Sequence, residues 1–76
     1  MWEENQDTLS RTFLFADFTD AMAFIVKVWL LAEKSDHHPT ITNTYTSVRI
    51  ELTTHEAGNT VTTRDREMSQ IIDSFL

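Results

Sequence analysis

The chain has no cysteine in 76 residues, one glycine (Gly58) and one proline (Pro39). Without thiols it has no disulfide framework, no thiolate metal ligand and no cysteine nucleophile. Basic residues are also scarce: six Lys and Arg stand against twelve Asp and Glu, a net charge of −6, and the six are scattered. A phosphate backbone would be repelled more than attracted, so direct nucleic-acid binding is not expected. Long apolar runs are missing too. The longest, Ala21 to Ala32, is interrupted by Lys27 and falls short of the ~20 residues that span a bilayer. The start, Met-Trp-Glu-Glu, lacks the basic and apolar regions of an export signal. The expectation is a soluble, cytoplasmic protein with no membrane partner.

At 76 residues one domain, 1–76, is expected, and a chain this short buries only roughly 60–65% of its unfolded surface. Burial in an oligomer would matter to it. Leu9 to Phe15 places Leu9, Arg11, Phe13 and Phe15 on one side with partial period two, which predicts a strand with Arg11 out of character on the aromatic face. Trp2 anchors either a short edge strand or a frayed terminus. Asp17-Phe18-Thr19-Asp20 is a helix start, and the helix is predicted over 20–34 with no Gly or Pro inside. Pro39 is expected to end it. Ile41, Asn43 and Tyr45 alternate with threonines as a short strand. Val48, Ile50 and Leu52 then alternate with Ser47, Arg49, Glu51 and Thr53 as a second. After a turn at Glu56-Ala57-Gly58-Asn59, Thr62 or Thr63 caps a final helix to Leu76 carrying Met68, Ile71, Ile72 and Phe75. The predicted fold class is α+β: a small antiparallel sheet of about four strands with two helices packed on one face.

Helix 20–34 has apolar residues around more of its circumference than one sheet needs: Ala21, Met22, Phe24, Ile25, Val28, Trp29, Leu31 and Ala32, extended by Ala23, Val26 and Leu30. Part of it is therefore expected to meet another subunit, giving a homodimer or homotetramer through this helix and an edge strand.

All three histidines fall between Glu33 and Asp65. His37 and His38 leave the long helix, and His55 follows a strand. Histidine titrates nearest neutrality, so converging imidazoles can divide between proton donor and acceptor. Adjacent residues on extended chain point to opposite sides, so His37 and His38 share a pocket only if the backbone turns there. A zinc centre of three histidines is the chemical rival. It is disfavoured because a His-His doublet suits tetrahedral ligation poorly and the i, i+4 helical pair of metallohydrolases is missing. No metal is expected.

The run Ala32-Glu33-x-x-x-His37-His38-Pro39, five residues, Tyr45, nine residues, His55, nine residues, Asp65 resembles the signature of the pterin-4a-carbinolamine dehydratases. Phe13-x-Phe15-x-Asp17-Phe18-x-x-Ala21 and Thr54-His55 are similar as well. Many members carry a further N-terminal helix, and with only Met1 ahead of Trp2 a short version of the fold is expected. The turn after His55 is somewhat longer than usual and has no Gly-Leu pair. The resemblance implies a dehydratase that eliminates water from 4a-hydroxytetrahydrobiopterin to give quinonoid dihydrobiopterin in tetrahydrobiopterin recycling. It implies no metal, flavin or nucleotide cofactor. It assigns His37, His38 and His55 as the acid, base and substrate-binding set. Asp36, Glu33 and Asp65 become candidates for orienting an imidazole or binding substrate. Tyr45 is expected to pack between strand and helix. The alternative implied is a non-catalytic dimerisation cofactor of a homeodomain transcription factor, using the helix face 21–32.

Overall fold

The computed structural model describes all 76 residues. The strands are β1 (Glu3–Glu4), β2 (Leu9–Leu14), β3 (Thr40–Thr44) and β4 (Ser47–Leu52); the helices are α1 (Phe18–Ser35) and α2 (Thr63–Asp73), with a 3-10 turn at His55–Ala57 before α2. The four strands form one antiparallel sheet in the order β1-β2-β4-β3. Register pairs Leu9 with Leu52, Arg11 with Ile50, Phe13 with Val48 and Ile41 with Ile50. That brings the apolar alternates of three strands to one face, as the period-two pattern requires.

Both helices cover that face, so the α+β architecture expected from the sequence is the one observed. Ala21, Phe24, Ile25 and Val28 of α1 and Met68 and Ile72 of α2 join Leu9, Phe13, Val48, Ile50 and Leu52 in one buried cluster. Phe24 sits between Phe13 and Phe15, with ring centroids 4.7 and 5.0 Å away. Trp2 is held in place, and β1 pairs with β2 beside it. Its indole edge meets Phe13 at 5.8 Å, and its Nε1–H donates to Asp73 Oδ1 at 2.9 Å. Arg11 donates to the same Asp73 oxygen at 2.9 Å while its guanidinium lies 4.5 Å from the centre of the Phe13 ring. The cation on the aromatic face is thereby accounted for: it is stacked, and it offsets an acid at the negative end of α2.

The ends of the elements depart from the sequence expectations for local reasons. Asp17 caps α1 by accepting the Asp20 N–H at 2.8 Å, so the helix begins at Phe18 rather than at residue 20. Its other end is set before Pro39 is reached. Asp36 adopts the left-handed conformation (φ 51°), with its N–H on the Glu33 carbonyl and the His37 N–H on the Ala32 carbonyl. These are the two bonds of a Schellman termination, formed here without glycine. Tyr45 is not in β3 but in the tight turn to β4, also left-handed (φ 50°). Its ring stacks on Phe18 at 6.3 Å, and the side chain stays largely exposed. Helix α2 stops at Asp73, short of the expected Leu76. No helix is long and apolar enough to cross a membrane.

Candidate active site

The Schellman turn is what aims the histidine doublet. By reversing the chain at Asp36 it sends His37 inward and His38 outward: His37 is buried and His38 exposed. His37 Nε2 lies 2.6 Å from Asp65 Oδ1, across from the first turn of α2. Asp65 is completely buried. Its second oxygen accepts the Thr54 hydroxyl at 2.7 Å and the Thr62 backbone N–H at 2.9 Å. The latter is the carboxylate arm of a capping box at the start of α2. Burial pushes the Asp65 carboxyl up, yet the Thr62 N–H, the Thr54 hydroxyl and the His37 ring together hold it below the ordinary 3.8. Asp65 is therefore ionised at neutral pH. An anion has no proton to give, so the Nε2 of neutral His37 must carry the hydrogen and its Nδ1 the lone pair.

The other imidazoles stand in the open. His38 Nε2 meets Glu33 Oε1 at 3.1 Å with both side chains solvated, a pair worth little to stability. His55 follows Thr54 directly, and its Nδ1 is 2.6 Å from Asn59 Oδ1 across the turn that Gly58 closes in the left-handed region. With Nδ1–H donating to Asn59, the Nε2 of His55 is left with the free lone pair. Asp36 enters through its backbone, its carbonyl accepting Arg64 Nη2 at 3.0 Å. Arg64 also reaches Glu56 at 3.6 Å, and so ties the end of α1 to the turn that carries His55.

Of the six residues picked from the sequence, His37 and Asp65 are bonded to each other, His38 and Glu33 are bonded to each other, and His55 is linked to the first pair through its neighbour Thr54. The three rings do not share an enclosed cavity. A depression of about 190 Å³ is lined by Ser35, His37, Arg64, Glu67, Met68 and Ile71, and takes in neither His38 nor His55. A wider apolar groove of about 370 Å³ between Leu30, Leu31, Ile71 and Phe75 contains no histidine. The candidate site is thus an open rim where the end of α1, the 3-10 turn and the start of α2 meet. No three His, Asp or Glu side chains are grouped so as to hold a metal ion.

Sequence reading passed over Thr54, Thr62 and Arg64 as working groups. Threonine in a β-rich stretch carries no mark of a buried hydroxyl, and the main partner of Arg64 is a carbonyl, which every residue has.

The family model described as pterin 4 alpha carbinolamine dehydratase matches residues 1–75. A protein of Rhodopseudomonas palustris (strain BisB18), provisionally named a pterin-4-alpha-carbinolamine dehydratase, is 44% identical over 72 residues, covering 95% of this chain and 70% of the relative. The crystal structure of a transcriptional coactivator/pterin dehydratase from Brucella melitensis superposes with a TM-score of 0.89 at 36% identity, over 96% of this chain and 79% of that one. A pterin dehydratase-like protein identified as a RuBisCO assembly factor in the alpha-carboxysome shares the fold at a TM-score of 0.78 and 23% identity, over 97% of this chain and 84% of that one. The match along almost the whole chain, at such identity, shows that it belongs to the pterin-4a-carbinolamine dehydratase family.

Proposed function

We propose that the chain catalyses dehydration of a 4a-hydroxytetrahydropterin, with 4a-hydroxytetrahydrobiopterin the substrate in tetrahydrobiopterin recycling, by histidine general acid/base chemistry. The observation that carries this is the buried His37–Asp65 pair, which leaves His37 Nδ1 unprotonated beside two further imidazoles on one rim. Loss of water needs two proton movements. The C4a–O bond breaks as the hydroxyl is protonated to a leaving water, and a ring N–H gives up its proton as a C=N bond forms. His37 is the base, because an ionised carboxylate behind it stabilises the imidazolium it becomes. His38 is the acid: it is exposed, with its Nε2 3.1 Å from Glu33 Oε1. His55 orients the ring through Nε2. Each positioned transfer is worth ~10²–10⁴ in rate.

The test is turnover of the 4a-carbinolamine followed by absorbance at several pH values, with His38→Ala and His55→Ala beside the native chain. The native chain should accelerate loss of the substrate, and each variant should lose on the order of 10²-fold or more in kcat. Activity that needs zinc and is abolished by chelator would contradict the proposal.

A second reading has its own support. Met22, Val26, Trp29 and Leu30 stay exposed along α1, and the Brucella melitensis neighbour is called a coactivator as well as a dehydratase. This face serves self-association, as a homodimer or homotetramer, and in the alternative reading a non-catalytic interaction with a transcription factor. Intact turnover separates the two, since a pure docking module has no need of His37 and His38.

A further inference from the structure

The hydroxyl of Thr54 has two partners and one hydrogen. It lies 2.7 Å from Asp65 Oδ2 and 2.7 Å from Thr62 Oγ1, and Thr54 is itself buried. Because the Asp65 carboxylate can only accept, the Thr54 hydrogen must point at Asp65. Its oxygen is then left to accept, so Thr62 is the donor in the pair of hydroxyls. The proton positions are thereby fixed and converge on the carboxylate: Thr62 donates to Thr54 and Thr54 to Asp65 from one side, His37 Nε2–H to Asp65 from the other, each bond polarising its neighbour. The Thr54 backbone is fixed as well: its N–H donates to the Thr60 carbonyl at 3.0 Å, and its carbonyl accepts from Ala57 and Asn59 at 3.2 and 3.1 Å.

We infer that Thr54 is a positioning residue for the reaction: acting through Asp65, its hydroxyl locks His37 in the orientation and tautomer that present Nδ1 as the basic nitrogen. The inference rests on the acid/base reading above, but one of its readouts does not depend on that reading. With the Thr62 N–H as the only donor on its second oxygen, the carboxylate has more freedom to tilt about its Cβ–Cγ bond. The Thr54 hydroxyl removes that freedom. The same residue precedes His55, so one strand end sets the base and places the residue that grips the ring. Other charged groups near His37 are Arg64 and Glu67 of α2, which line the same depression, with Glu33, Asp36 and His38 on its own segment and Glu56 on the turn. None of these is altered in the variants below.

The experiment compares Thr54→Val, which keeps shape and removes the hydroxyl, with Thr54→Ser, which keeps the hydroxyl. Imidazole ¹⁵N spectra of the folded proteins are recorded alongside kcat and KM for the 4a-carbinolamine across pH. In the native chain and in Thr54→Ser, His37 should be a single Nε2–H tautomer. In Thr54→Val the signal of the Nδ1–H form should grow, kcat should fall about tenfold, the low end for loss of a group that orients a working imidazole, and KM should stay within about twofold. The acid limb of the rate profile should also move, which a merely structural threonine would not cause. If Thr54→Val does not fold, Thr62→Val removes the donor one bond further out and should give the same changes at smaller size. An unchanged His37 tautomer with unchanged kcat in the valine variants, or a serine variant no better than valine, overturns the inference. Absence of native turnover would instead overturn the dehydratase reading, with the spectra still deciding the role of Thr54.

Discussion

At the residue scale the account turns on Asp65, whose acceptor sites are filled by His37, Thr54 and the Thr62 N–H. Replacing it by asparagine is a severe change despite the equal size. The amide NH₂ would face either the Thr54 and Thr62 donors or the His37 N–H, leaving buried donors opposed. Asp65→Asn should therefore cost about 2–4 kcal/mol, from one or two unsatisfied buried groups, measured by urea unfolding. The pH dependence follows from the direction of its shift. The folded carboxyl titrates below the 3.8 of the free side chain, so Asp65 contributes its stabilisation fully above that pH and loses it as pH falls through the lower, folded value. The native chain should lose stability steeply below pH ~4, and Asp65→Asn should show a shallower acid limb in the same titration of unfolding free energy. A native acid limb no steeper than that of the variant would remove Asp65 from the account of stability.

At the scale of elements, the two ends of α1 are informative. Asp36 ends α1 in a conformation that glycine adopts freely and a side chain does not. Its carboxylate makes no hydrogen bond, while its carbonyl receives Arg64. Asp36→Gly should thus raise stability by about 1 kcal/mol, the cost of the left-handed region for an L-residue, by chemical denaturation. A fall of that size would show that the Asp36 side chain holds the turn. At the other end, Asp17→Ala removes the cap on the Asp20 N–H and should cost ~1 kcal/mol.

These ends also show what could be read in advance. β2, β3 and β4, both helices and the buried sets Leu9, Phe13 and Val48, Ile50, Leu52 follow from period and alternation, whereas β1, two exposed residues, has no such pattern and was open between an edge strand and a frayed terminus. The stop at Asp36 does not, since a Schellman turn without glycine has no sequence mark and Pro39 is the more visible signal. The histidines and Asp65 were legible as a spacing, and the fold bonds His37 to Asp65 and His38 to Glu33, with His55 linked to the first pair through Thr54. That His37 faces in while His38 faces out depends on a backbone reversal which no residue type at 36–38 announces. The directed chain through Thr54 and Thr62 was hidden for the same reason: a threonine hydroxyl gains its role from where the fold puts it.

On the scale of the whole molecule, the sheet packs its helices on one face only, and α1 keeps a row of exposed apolar side chains on the side away from the core, with Val26 51% and Leu30 67% exposed. A chain this short has few other means of burying more surface. Val26→Lys combined with Leu30→Glu should turn an oligomer into monomer by light scattering without changing the far-UV circular dichroism. An unchanged mass would place the interface elsewhere, with the sheet edges β1 and β3 the remaining candidates. The net charge of −6 bears on the same point, since like-charged copies associate more readily as salt screens them.

The central claim is that His37, backed by Asp65, takes a proton from a hydroxylated pterin as water leaves. Stopped-flow decay of 4a-hydroxytetrahydrobiopterin, mixed with the native chain, with His37→Ala and with buffer alone, tests it most directly. The account predicts acceleration by the native chain and a loss of ~10²–10⁴ in kcat in the variant. Decay in the presence of the native chain at the buffer rate, or a His37→Ala protein as fast as native, would contradict it.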